Sequence, residues 1–155
     1  MGTTAPPAAL SATGLRIAVV AARYNAELVD QLIAGARAAW LAAGGETSAL
    51  RVERVPGAFE LPLAAQALAR RGDCDAVVAL GCVIRGDTAH FDFVAGECAR
   101  GLQQVMLATG VPVAFGVLTT ETAAQAQARA APGEFNKGAE ALQTALAMAR
   151  LLRGI

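Results

Sequence analysis

The sequence is poor in histidine, tryptophan and tyrosine, with one of each, and aromatics make up only 5% of its 155 residues. Cysteine is also sparse. Cys74, Cys82 and Cys98 are odd in number and lack C-x-x-C spacing. That argues against a disulfide scaffold or zinc site and fits reduced thiols in a cytoplasm. No group of His and Cys reaches metal-ligand spacing, so no metal site is expected. Charged residues form 17% of the chain, and thirteen basic side chains cancel thirteen acidic ones. Without a basic excess there is no footprint for nucleic acid and no stripe for a membrane surface. No apolar run approaches the roughly 18 residues that a membrane span requires. The amino-terminal MGTTAPPAALSATG has neither the positive start nor the apolar core of a secretory signal.

What is abundant is apolar surface. The chain is 55% hydrophobic with a mean hydropathy of +0.44, high for a monomer that must face water on all sides. A subunit interface is the expected place for the excess. The length suits one domain, 15–155, preceded by residues 1–14. Those first residues are either a tail or an arm that orders against a neighbouring subunit by adding a strand there.

Hydrophobic patterning alternates between two kinds of element. Leu15–Ala22, Ala49–Val55, Ala76–Val83 and Val113–Leu118 are short apolar runs that read as buried strands. Between and after them, helical periodicity brings Leu28, Val29, Leu32, Ile33, Ala36 and Trp40 onto one face. The same holds for Val94, Cys98, Leu102, Val105 and Met106, and for Leu142, Ala145, Leu146, Ala149 and Leu152. Asn25 and Asn136 stand where N-caps belong, Pro62 falls in a first helical turn, and Gly44-Gly45 and Gly110 stop helices. Four strand–helix alternations predict a four-stranded parallel sheet covered on both faces, a flavodoxin-like three-layer α/β/α sandwich.

In such a sheet the carboxyl ends of the strands share one edge, where ligands bind. That edge is expected to gather Arg23-Tyr24, Pro56 to Glu60, Arg85 to His90, and Phe115 to Thr120. The mix suits a flat, polar ring together with an anion. His90 could move protons near neutral pH, or simply cap a helix. Gly86-Asp87-Thr88 could hold a phosphate or form an ordinary turn, and Arg129 and Lys137 are either anion ligands or solvated charges. Neither the G-x-x-x-x-G-K-S/T loop nor G-x-G-x-x-G is present.

The segments RYN (23–25), VPGAFELP (55–62), GCVIRGDTAHFDFV (81–94), PVAFGVLTTE (112–121) and NKGAEA (136–141) occur in an order and spacing that resembles the lumazine synthase family. The resemblance covers about Leu15 to Leu152. It implies condensation of 5-amino-6-(D-ribitylamino)uracil with 3,4-dihydroxy-2-butanone 4-phosphate to 6,7-dimethyl-8-ribityllumazine, phosphate and two waters, without metal or cofactor. It also implies pentamers with sites between subunits, and a product passed to riboflavin synthase. Residue by residue, it puts Tyr24 against the pyrimidine ring and Ala58, Phe59 and Glu60 along the ring and ribityl chain. The backbone of Cys82, Val83 and Ile84 would read the ring edge. Asp87, Thr88, Arg129 and Lys137 would meet the phosphate, and His90 would transfer protons. Phe115 would cover the ring from the adjacent subunit. Two departures stand out: Tyr24 replaces a commoner phenylalanine or tryptophan, and the loop Ala131–Phe135 lacks the family's usual glycine–threonine–lysine–glycine character. A weakly active flavin carrier or shell-forming paralogue is the alternative function.

Overall fold

The computed structural model describes residues 10–155. Four strands form one sheet: β1 (Ile17–Ala22), β2 (Leu50–Val55), β3 (Ala76–Ile84) and β4 (Val113–Thr120). Their order is β2-β1-β3-β4, and every pairing is parallel. The helices are α1 (Ala26–Ala42), α2 (Leu61–Arg70), α3 (His90–Thr109), α4 (Ala123–Ala130) and α5 (Lys137–Gly154), with short 3-10 turns at Thr47–Ala49 and Ala58–Glu60.

Period-two alternation in the strands divides the core into two layers. Ile17, Val19, Ala21, Val78 and Leu80 pack with Val29, Leu32 and Trp40 of α1, Ala126 and Ala130 of α4, and Leu142 and Leu146 of α5. The intervening residues Ala18, Val20, Val77 and Ala79 pack with Leu61 and Ala65 of α2 and with Cys98, Leu102 and Val105 of α3. The expected three-layer sandwich is the observed one. β1 and β3 are buried on both sides, which is why they read as unbroken apolar runs.

The sequence cues for helix ends act largely as expected. Asn136 caps α5, its Oδ1 accepting from the Ala139 N–H at 2.9 Å. Thr122 caps α4 by accepting from the Gln125 N–H at 3.1 Å. Gly110 closes α3 at φ 71°, a left-handed conformation that glycine adopts without cost. Gly138 is required by close packing, since a Cβ there would lie 2.0 Å from the Leu32 carbonyl oxygen of α1.

Some expectations shift. β3 and β4 each run past their apolar stretches because they pair with each other through Val83–Thr119 and Ile84–Thr120. Leu152 does not join the buried face of α5; it is exposed. By that point the helix has passed the amino edge of the sheet, where Arg153 bonds to the Gly14 carbonyl and to Asp75. Of the expected arm, residues 1–9 lie outside the described residues. Residues 10–14 lie against their own chain: Ala12 is buried and donates to the Ala43 carbonyl at 2.9 Å. Arg150 of α5 donates twice to the Ser11 carbonyl.

Candidate active site at the switch point of the sheet

Chain direction from β1 turns one way to β2 and the other way to β3, so the crevice of this sheet opens between the carboxyl ends of β1 and β3. The two strands end at different heights. Ala21 pairs with Leu80 and β1 stops one residue later, while β3 continues through Cys82, Val83 and Ile84. Three extra residues make a step of roughly 10 Å. Backbone groups alternate sides along a strand, and the Cys82 carbonyl is turned toward β1, where Asn25 meets it at 2.8 Å. The Ile84 N–H and C=O therefore face the side that β1 has vacated.

Asn25 holds the N-cap position of α1 that the sequence suggested, but not through the side-chain bond usual there. Asn25 precedes the helix in the left-handed region, φ 56° and ψ 47°, and makes no side-chain cap bond. Its side chain spans the crevice to Cys82 instead, while its carbonyl accepts from the Leu28 and Val29 N–H groups.

Around this step stand the loops. Arg23 and Tyr24 follow β1, and their N–H groups donate to the Val55 and Pro56 carbonyls, binding the first loop to the second. Tyr24 and Phe59 are 74% and 59% exposed, two aromatic side chains left facing water on adjoining loops. Ala58 is buried beneath them. The Glu60 carboxylate accepts from the Gly57 N–H through Oε2 at 3.0 Å, and Oε1 has no hydrogen-bond partner among the described residues. After β3, residues Arg85 to His90 form an exposed turn into α3, in which Thr88 Oγ1 accepts from the His90 N–H at 3.3 Å. A hydroxyl, a carboxylate, an imidazole and open glycine backbone at Gly86 thus share one turn.

Three expected site residues lie apart from this crevice within one chain. Phe115 does not sit on the carboxyl edge. It pairs with Ala79 near the start of β4, five residues before Thr120, which is roughly 16 Å along the strand. It is 48% exposed there, on the edge strand of the sheet. Arg129 lies on α4, in the layer of α1 and α5, whereas His90 opens α3 in the opposite layer. Its Nη1 donates to the Gln125 carbonyl of its own helix at 2.9 Å. Lys137, at the start of α5, pairs with Glu140 at 2.6 Å.

Cys82 forms part of the crevice wall through its backbone alone. Burial pushes its thiol up to about 11, and that of Cys98 likewise, so both are protonated and unreactive at neutral pH. Arg85 carries more of the local structure than its sequence context indicates. Its Nη2 pairs with Asp92 at 3.1 Å, its Nε donates to Glu121 at 2.7 Å, and its guanidinium lies 4.3 Å from the centre of the Phe91 ring. These carboxylates hold the guanidinium's affinity for its proton above the ordinary value. Asn25 and Arg85 are both evident in the sequence as loop residues. Cys82 lies 57 positions from Asn25 and Glu121 lies 36 from Arg85, beyond any local signal. Among the described residues no group of three His, Cys, Asp or Glu is placed to hold a metal ion, and no helix is long and apolar enough to cross a membrane.

Fold and site define an α/β/α protein with a crevice at the switch point of a parallel sheet, rimmed by exposed aromatic and polar side chains. Comparison with known proteins narrows that class. A family model described as 6,7-dimethyl-8-ribityllumazine synthase matches residues 14–153. The chain is 52% identical over 146 residues to a protein of that name from Thermus thermophilus, covering 94% of this chain and 93% of the relative. It is 54% identical over 156 aligned positions to another from Kineococcus radiotolerans, covering 99% and 95%. The chain belongs to the 6,7-dimethyl-8-ribityllumazine synthase family.

Proposed function

We propose that this protein is a transferase of riboflavin biosynthesis that joins 5-amino-6-(D-ribitylamino)uracil to 3,4-dihydroxy-2-butanone 4-phosphate. The products are 6,7-dimethyl-8-ribityllumazine, phosphate and two waters. The observation that carries this reading is the stepped crevice between β1 and β3. Its wall is exposed strand backbone, its rim is Tyr24, Phe59 and Glu60, and its far side is the Gly86–His90 turn. The pyrimidine lies against Tyr24 and is read by the backbone of Cys82 to Ile84. The ribityl chain runs past Ala58 and Phe59 to the free oxygen of Glu60, and the phosphate meets Asp87 and Thr88.

The chemistry makes modest demands on side chains. The amino group of the pyrimidine attacks the ketone of the four-carbon substrate and loses one water to give an imine. Phosphate then leaves, the ribityl-bearing nitrogen closes the second ring, and a second water departs. His90 moves the protons, a contribution of about 10²–10⁴-fold. Orientation of two bound substrates contributes more, since effective molarities reach on the order of 10⁵ M. No step calls for a metal or cofactor.

Arg129, Lys137 and Phe115 are assigned to a site shared with a second copy, with Phe115 over the ring and the two cations on the phosphate. Two features support this. Arg129 and His90 occupy opposite layers of one chain, and Phe115 is far from its own crevice. Leu63, Phe93 and Leu107 on α2 and α3 add exposed apolar surface for such an assembly, built from pentamers in the cytoplasm, with the product passing to riboflavin synthase.

The test is formation of the lumazine from both substrates, followed by absorbance with the uncatalysed rate subtracted. The expected result is a rate well above background that falls in His90→Ala but stays measurable. In Arg129→Ala the rate falls further, through a raised KM for the phosphate-bearing substrate. A background rate from a folded oligomer that still binds riboflavin would overturn the enzyme reading in favour of a flavin carrier.

A further inference from the structure

Among the described residues, Arg85 is the side chain that joins the turn carrying His90 to the end of β4. Its guanidinium reaches Asp92 at 3.1 Å and packs over Phe91, the two residues that follow His90 in the first turn of α3. In the other direction it donates to Glu121 at 2.7 Å, and its backbone N–H donates to the Thr120 carbonyl at 2.9 Å. Glu121 is itself fixed: its N–H donates to Gln125 Oε1 at 2.9 Å, so the clamp is anchored on the capped start of α4. Among the described residues, Gly86 to Ala89 between these anchors are shaped by two local contacts, His90 N–H to Thr88 Oγ1 at 3.3 Å and Asp92 N–H to the Ala89 carbonyl at 3.0 Å. The helix provides no side-chain cap of its own, since Ala89 stands at the cap position.

We propose that Arg85 is a positioning residue for the reaction, setting the place of His90 by clamping the first turn of α3 to Glu121. The inference rests on the assignment of proton transfer to His90. A planar guanidinium suits this task because it serves two carboxylates and a ring face at once, which a lysine ammonium cannot do with the same geometry. Exposed ion pairs contribute little to stability, so the role is one of geometry at the crevice and the fold survives without it. A misplacement of a reacting group by about 1 Å costs on the order of 100-fold in rate.

The test is a double-mutant cycle in the assembled protein, with Arg85→Met and Arg85→Lys each made alone and with His90→Ala. Arg85→Met is expected to lower kcat at least tenfold with KM for both substrates within about twofold and oligomer mass unchanged. Arg85→Lys is expected to recover part of the loss. In the His90→Ala background Arg85→Met should change kcat less than twofold, because a clamp acting through His90 has nothing left to position. Equal losses in both backgrounds would overturn the proposal, as would an unaltered kcat in Arg85→Met. A full rate in His90→Ala alone would overturn the underlying assignment of His90 and this proposal with it. That result is distinguishable from a slow His90→Ala in which the Arg85 effect is additive.

Discussion

The Asn25 side chain donates to the Cys82 carbonyl at 2.8 Å, tying the end of β1 to the overhang of β3 across the mouth of the crevice. The backbone at Asn25 is left-handed, a conformation that asparagine tolerates better than other residues with a Cβ. One residue thus turns the chain into α1 and fixes the height of the crevice wall.

Substitutions at Asn25 should separate these two tasks. Asn25→Gly keeps the backbone conformation and loses only the bridge, costing about 1 kcal/mol. Asn25→Ala loses the bridge and adds the strain of a left-handed alanine, for a total of about 2–3 kcal/mol. Urea midpoints at fixed protomer concentration would measure the difference. Equal midpoints for the two variants would show that the backbone conformation carries no cost.

Much of the fold was legible because the local signals agree with the global arrangement. β1 and β3 are buried on both faces and therefore spell continuous apolar runs, while Thr122, Asn136 and Gly110 mark helix ends with residues whose chemistry fits those positions. The crevice was legible as a set of loops, since strand polarity alone brings Tyr24, Glu60 and His90 to one edge. Phe115 was not, because periodicity says that a residue is in a strand but not how far along the ladder it pairs; the Ala79 register decides that. The Asn25–Cys82 and Arg85–Glu121 contacts join segments distant in sequence, and no period or cap rule encodes them.

Asn136 is a second test of buried polar geometry. It is 2% exposed, and its Nδ2 donates to the Ala130 carbonyl at 2.7 Å, to that of Gln31 at 3.2 Å and to that of Ala131 at 3.3 Å, while Oδ1 caps α5. Asn136→Ala would leave buried carbonyls and a helix N–H without partners, at about 2–4 kcal/mol. Asn136→Asp keeps the cap and places a carboxylate against those carbonyls. It should be at least as damaging, and thermal unfolding of the two variants would rank them. A milder effect for Asp than for Ala would show that the cap outweighs the carbonyl contacts.

The buried thiols make stability fall in alkali. The ordinary thiol value of 9.0 is raised to about 11 in both Cys82 and Cys98 by desolvation. Above pH 9 the unfolded chain loses these protons while the folded chain keeps them, so the unfolded state binds fewer protons and unfolding becomes easier. The stability is fully present below pH 9 and is lost progressively up to about pH 11, at up to about 1.4 kcal/mol per pH unit for each thiol. Denaturation midpoints of the protein and of a Cys82→Ala, Cys98→Ala double variant across this range would measure it. A parallel decline in both proteins would assign the effect to other groups.

Ownership of the site can be decided by mixing two impaired variants. His90 and Arg129 lie in opposite layers of the chain, so under the shared-site reading each site takes His90 from one copy and Arg129 from its neighbour. Oligomers reassembled from equal amounts of His90→Ala and Arg129→Ala would then contain intact sites wherever an Arg129→Ala copy supplies the histidine and a His90→Ala copy supplies the arginine. Random assembly around a ring gives about one quarter of all sites in that state, and the mixture should regain about that fraction of the original rate. If one chain supplied both residues to its own crevice, no pairing could produce an intact site, and the mixture would stay at the mean of its parents. The measurement needs only co-refolding, a check by sedimentation that the assembly has re-formed, and the rate of lumazine appearance.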